Sequence, residues 1–141
     1  MRLWHYKLFE YLPKSQLIAQ KRECDLIFKD ILNGRKTNHI LINYIWDYPL
    51  DDLLAYYWDL SIEFDRRKIK FNKKYFMDML RTHTNITYKE GAKFENHHNR
   101  EYMWICYYNL KEKYLRGQKD FDDITFNKLL NFITETMKRG E

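Results

Sequence analysis

Apolar positions recur at helical spacing along most of the chain. Leu17, Cys24, Phe28 and Ile31 return at three, four and seven, with Ile27 beside them. They predict a helix that Pro13 can start and that runs to about Leu32, where Asn33-Gly34 is a stop signal. The next helix begins near Pro49, with Asp51 and Asp52 in its first turn. Its stripe is Leu50, Leu53, Leu54, Tyr57, Leu60, Ser61 and Phe64, and Arg66, Arg67 and Lys68 fall in its last turn, where cations complement the dipole. A short helix over about Lys73–Thr82 is expected to bury Phe76, Met79 and Leu80. A fourth, near Arg100–Arg116, carries Met103, Cys106, Tyr107, Leu110 and Tyr114 and ends before Gly117. The last, about Asp123–Lys138, carries Phe126, Leu129, Leu130, Ile133 and Met137. Ile40–Trp46 is too short and isolated for a strand and reads as a buried connection. Thr84–Asn99 is polar, contains Gly91, and reads as a long loop of the kind that is often functional or mobile. The expected fold is all-α: one domain over 1–141, a compact cluster of four to five helices.

Composition narrows the class. The 141 residues are 32% charged and 45% hydrophobic, the balance of a globular domain. No apolar run approaches the roughly 18–20 residues of a membrane span, and the N-terminus lacks the apolar core of a signal peptide, so an intracellular location without membrane contact is expected. Four Trp, 12 Tyr and 9 Phe accompany 25 Lys+Arg against 20 Asp+Glu, a net charge of +5. Cations attract phosphate and rings stack on bases, so the combination suits nucleic acid. Codon bias explains the same excess equally well, since Val is absent and Ala occurs three times.

Common chemistries are missing. Four glycines with no Gly-x-Gly-x-x-Gly or Gly-Lys-Ser/Thr exclude the usual nucleotide loops. No His-x-x-x-His or Glu-x-x-His lies on a helix, and two cysteines make neither a disulfide framework nor a zinc site, so no metal and no cofactor is expected. His5, His39 and His83 are scattered, and His97-His98 are adjacent and point in different directions. Cys24 and Cys106 lie on apolar stripes, which predicts inert core thiols. The segment 66–74 holds six cations and no acid, and Arg35-Lys36 forms a second basic loop. Arg35, Lys36, Arg66, Arg67, Lys70, Lys73 and Lys74 are therefore candidate phosphate contacts. With Leu17 as the centre of the first stripe at 100° per residue, Arg22 falls near 140° and Glu23 near −120°, both facing away from the core.

Gln16-Leu17-Ile18-Ala19-Gln20-Lys21-Arg22-Glu23 resembles the first-helix signature His/Gln-Leu-x-Ala/Gly-x-x-Arg-Glu of the pyrimidine-dimer DNA glycosylases of the phage endonuclease V type. The opening Met1-Arg2-Leu3-Trp4-His5 with Tyr11-Leu12-Pro13 looks like a cellular and viral branch grouped with them. Leu53-Leu54-Ala55-Tyr56-Tyr57 with Glu63 and Arg66-Arg67, and more loosely Tyr102 to Lys113, look like further parts of it. The resemblance implies a single all-α domain with combined glycosylase and abasic-site lyase activity on damaged or modified bases in double-stranded DNA, acting without a cofactor and as a monomer. It implies that the chain's α-amine, here that of Met1, is the nucleophile, because residue 2 is Arg where the phage enzyme exposes a threonine. It implies that Glu23 stabilises the cationic intermediate and that Arg2, Gln16 and Arg22 contact DNA. Two other readings of the residues stay open: a non-catalytic DNA-binding module of the same fold, and a helical protein–protein interaction domain.

Overall fold

A computed structural model describes residues 2–83 and 85–139. Among them are five α-helices: α1 Lys14–Leu32, α2 Leu50–Arg66, α3 Lys74–Thr82, α4 Arg100–Leu115 and α5 Asp123–Arg139. Two 3-10 turns, Tyr6–Tyr11 and Asn43–Asp47, complete the regular structure, and no strand occurs among the described residues. The fold is all-α, and the helix bounds follow the apolar periodicity. No described helix is long and apolar enough to cross a membrane.

The helix ends have local causes. Gly34 takes φ +72° after the Asn33 cap of α1, so the Arg35 amide reaches back to the Asp30 carbonyl and the Gly34 amide to that of Ile31. This pair of bonds satisfies carbonyls the helix leaves open. α2 ends the same way with Lys68 at φ +59°, bonding Ile69 to Phe64 and Lys68 to Asp65. A lysine there carries the roughly 1–2 kcal/mol cost of a left-handed L-residue.

α1 packs on α2 and α3, α4 packs on α5, and the Tyr6–Tyr11 turn lies between α2 and α5. The core runs through these contacts as Leu8, Leu17, Ile27, Phe28, Tyr56, Tyr57 and Leu60, each fully buried. Truncating one of its rings, as in Phe28→Ala, costs about 3–5 kcal/mol. Two positions assigned to apolar stripes are exposed, Leu80 at 39% and Leu130 at 37%, and Ile31, Leu50 and Tyr114 are only partly buried. Leu80 and Leu130 lie at the edge of their stripes. The Ile40–Trp46 segment also divides. Ile42 and Ile45 are buried, whereas Ile40 stands 88% exposed before the 3-10 turn begins.

The long polar loop is fastened to α2 by three aspartates. Asp51 accepts from the Thr87 amide and hydroxyl, Asp52 from the Phe94 amide (2.8 Å), and Asp59 pairs with the buried Lys93 (2.7 Å). This strapping brings His98 and the start of α4 against the first residues of the chain.

Candidate active site

Residues 2–5 lie outside any helix and Tyr6 opens the first 3-10 turn, so their backbone groups need partners from elsewhere. Side chains from three helices and one connection supply them. The Trp4 amide donates to Gln20 Oε1 (2.7 Å). Gln20 Nε2 donates to the Arg2 carbonyl (3.0 Å) and to Glu23 Oε2 (3.2 Å). The Tyr56 hydroxyl lies 2.6 Å from the Trp4 carbonyl oxygen and 3.0 Å from Gln20 Oε1, its one proton shared between two acceptors. The Tyr102 hydroxyl donates to the Leu3 carbonyl (2.5 Å), and the His5 amide points at Cys106 Sγ (3.4 Å).

A second layer holds the first. The Tyr6 amide donates to His98 Nδ1 (3.2 Å), so in the neutral ring Nε2 carries the proton and donates to the Tyr44 hydroxyl oxygen (2.6 Å). Tyr44 stands edge-on to Tyr102 (ring centroids 6.3 Å), and the Arg2 guanidinium lies over the Tyr102 ring (5.9 Å). Burial, with His5 and His97 beside it, drives the His98 pKa down to about 2, and burial beside Lys7 takes His5 down to about 4. Both rings are neutral at pH 7. They act as fixed hydrogen-bond partners rather than proton carriers.

Around this clamp lies a cavity of about 260 Å³ lined by Arg2, Trp4, Gln16, Ala19, Gln20, Glu23, Leu41, Asn109 and Lys113. It is smaller than pockets that enclose drug-sized ligands, roughly 300–1,000 Å³, and admits one small group. Glu23 is its carboxylate. The side chain is half-buried, not fully outward as the helical wheel has it, because the chain start covers that flank of α1. Burial raises the Glu23 carboxyl above its ordinary range, opposed by the Arg2 amide, the Gln20 side chain and His39. A carboxyl tuned upward and reachable from a cavity is a candidate for general acid–base work.

The cavity brings together Arg2, Gln16 and Glu23 among the residues singled out from sequence. Gln16 also donates to Gln118 (2.8 Å). Arg22 is exposed beside them, and Met1 lies outside the described residues. The basic turns are elsewhere. Arg35 pairs weakly with Asp30 (3.5 Å), and Lys36 lies over the Trp46 ring (5.2 Å). The 66–74 turn borders the opposite flank of α1, where Lys21 covers Phe71 (4.9 Å) and Tyr57 bridges Asp25 and the Asn72 carbonyl. Lys70 and Lys74 are exposed, and Lys73 sits over Trp58 (4.6 Å), at a cavity of about 530 Å³. Arg66 and Arg67 are different: Glu63 takes two bonds from Arg66 and one from Arg67 (2.6 Å). Arg67 further donates to the Phe9 and Glu10 carbonyls (3.1 and 3.0 Å), so its guanidinium ties α2 to the first 3-10 turn.

The model of the pyrimidine dimer DNA glycosylase family matches residues 1–77. The chain belongs to that family. The match spans more than half of the chain and includes the clamped start, α1 with Glu23, and α2 with Tyr56. Comparison with curated proteins and with solved structures returns no match. The family is one of DNA glycosylases, which implies DNA as the substrate class, and Asn109 and Lys113 of α4 reach the cavity from beyond the matched segment. Among the described residues no group of three His, Cys, Asp or Glu side chains could hold a metal ion.

Sequence reasoning missed Gln20, Tyr56 and Tyr102. Gln20 carried a usable signal: it falls near −60° on the wheel, beside Cys24 on the apolar stripe, where a polar side chain needs buried partners.

Proposed function

We propose that the protein is a combined DNA glycosylase and abasic-site lyase in which the α-amine of Met1 is the nucleophile and Glu23 the carboxylate that serves it. The observation that carries the reading is the hydrogen-bonded link between Glu23 and the backbone of residues 2–4 through Gln20. An α-amine has a pKa of about 7.7–8.0 against about 10.4 for lysine, so far more of it is neutral at pH 7. The neutral amine attacks C1′. A nitrogen–carbon bond forms, the glycosidic bond breaks, and the departing base takes the electron pair and a proton. The amine loses a proton as the sugar ring opens, leaving a protonated imine. Glu23, ionised, stabilises the cationic sugar and imine. Loss of a C2′ proton then expels the 3′ phosphate by β-elimination, and water releases the product from the amine. The base must leave the stack for the amine to reach C1′.

Arg2 and Arg22 flank this chemistry as phosphate contacts. Arg35, Lys36, Lys70, Lys73 and Lys74 extend the basic surface along the duplex, with Arg66 half-committed and Arg67 committed to Glu63. Pyrimidine dimers are the first substrate to test. Glu23→Gln keeps the side-chain shape but cannot offset a developing cation. It should abolish base release from a duplex carrying a cyclobutane thymine dimer while leaving duplex affinity and melting temperature within error. A melting temperature lowered by ten degrees with base release retained would remove Glu23 from the chemistry.

A further inference from the structure

Gln20 is 1% exposed in the middle of an otherwise apolar helix face, and its amide is fully used. Oε1 accepts from the Trp4 amide and lies within reach of the Tyr56 hydroxyl, and Nε2 donates to the Arg2 carbonyl and to Glu23. Tyr56, wholly buried, adds the Trp4 carbonyl. Two side chains thus hold three backbone groups of residues 2–4, and one of them also holds the carboxylate one helical turn away. The non-helical backbone of residues 2–4 needs such partners, and Gln20 serves that backbone and the Glu23 carboxylate with one amide.

We infer that Gln20 and Tyr56 are positioning residues that hold the chain start in fixed register with the Glu23 carboxylate. The inference rests on the α-amine reading above. Residue 1 is one peptide, 3.8 Å between Cα atoms, from the clamped Arg2. Reacting atoms must come within about 3–3.5 Å, and a displacement of about 1 Å can cost about 100-fold. The clamp therefore sets the reach of the amine, not its basicity. Neither side chain touches the sugar, and both act through the backbone they hold.

The test uses the full chain with its native start. Binding is measured on a duplex with a tetrahydrofuran abasic analogue, which cannot form an imine. Reaction is measured as the single-turnover rate of borohydride trapping on a true abasic duplex at saturating DNA. Gln20→Met, of similar volume without the amide, and Tyr56→Phe, lacking one oxygen, should bind the analogue with wild-type Kd. They should trap about 10–100-fold more slowly. If Gln20→Met fails to melt cooperatively, Tyr56→Phe decides alone. Trapping at the wild-type rate by a folded variant overturns the inference and leaves the lyase reading standing. A parallel loss of Kd and rate that tracks melting temperature also overturns it, as a structural role. A wild-type protein that forms no adduct overturns both.

Discussion

Arg67→Met separates the two uses to which the basic end of α2 can be put. The Arg67 side chain is 22% exposed and that of Glu63 8%, and three charge-assisted bonds join Arg67 to Glu63 and to the Phe9 and Glu10 carbonyls. Such bonds contribute about 1.5–3 kcal/mol each. Two effects reduce the sum. The exposed Glu10 regains water at its carbonyl, and Arg66 still neutralises Glu63. The net loss should be about 2–3 kcal/mol. At about 3 °C per kcal/mol for a chain of this length, the melting temperature falls by about 6–9 °C. Arg66→Met, at a side chain 55% exposed, should cost under about 1 kcal/mol. Thermal melts followed by circular dichroism read both, and duplex affinity across a salt series reads any phosphate contact. If Arg67→Met melts within 2 °C of wild type and lowers the log–log salt slope by about 0.9, Arg67 is a DNA contact and the structural assignment fails.

Three further outcomes follow from the geometry. Replacing Lys70, Lys73 and Lys74 together should lower the salt slope of duplex binding by up to about 2.7, at about 0.9 per phosphate contact, and an unchanged slope would make the turn a solvated one. Cys24 and Cys106 should resist a thiol-specific disulfide reagent at pH 8 in the folded protein, because burial raises Cys24 well above the ordinary thiol range and Cys106 to about 11; rapid labelling without unfolding would contradict this. Acid should destabilise the fold early: the unfolded chain protonates its histidines near pH 6.5, whereas folded His5 and His98 do so only near 4 and 2, so stability is lost as pH falls below about 6.5, by at most about 1.4 kcal/mol per pH unit for each. His98→Gln should make that decline shallower in urea titrations between pH 6.5 and 4, and an unaltered slope would mean His98 is protonated in the native state.

The five helices were legible because each carries a stripe at helical spacing and punctuation that acts locally, such as Gly34 after Asn33. Glu23 and Arg22 were legible only through the resemblance of their octapeptide, since the wheel alone reads both as solvated. The clamp was not legible. It joins Gln20, Tyr56, Tyr102 and His98 to residues 2–6 across separations of 16 to 99 positions, and no periodicity reports such contacts. The flank of α1 that the wheel leaves to solvent is covered by chain with no repeat of its own, which is why Glu23 is half-buried. Arg66 and Arg67 were read as free because their partner, Glu63, lies just before the acid-free segment, one helical turn back.

The central claim is that the chain's own α-amine forms a covalent imine with the sugar. Incubation of native-start protein with an abasic-site duplex and borohydride, followed by mass spectrometry of the cross-linked N-terminal peptide, tests it directly. The account predicts a trapped adduct with the sugar on the amine of Met1, no adduct from protein whose uncleaved N-terminal tag converts that amine to an amide, and recovery when the tag is removed to the native start. Full trapping by the tagged protein, with the sugar on a lysine side chain, would contradict it.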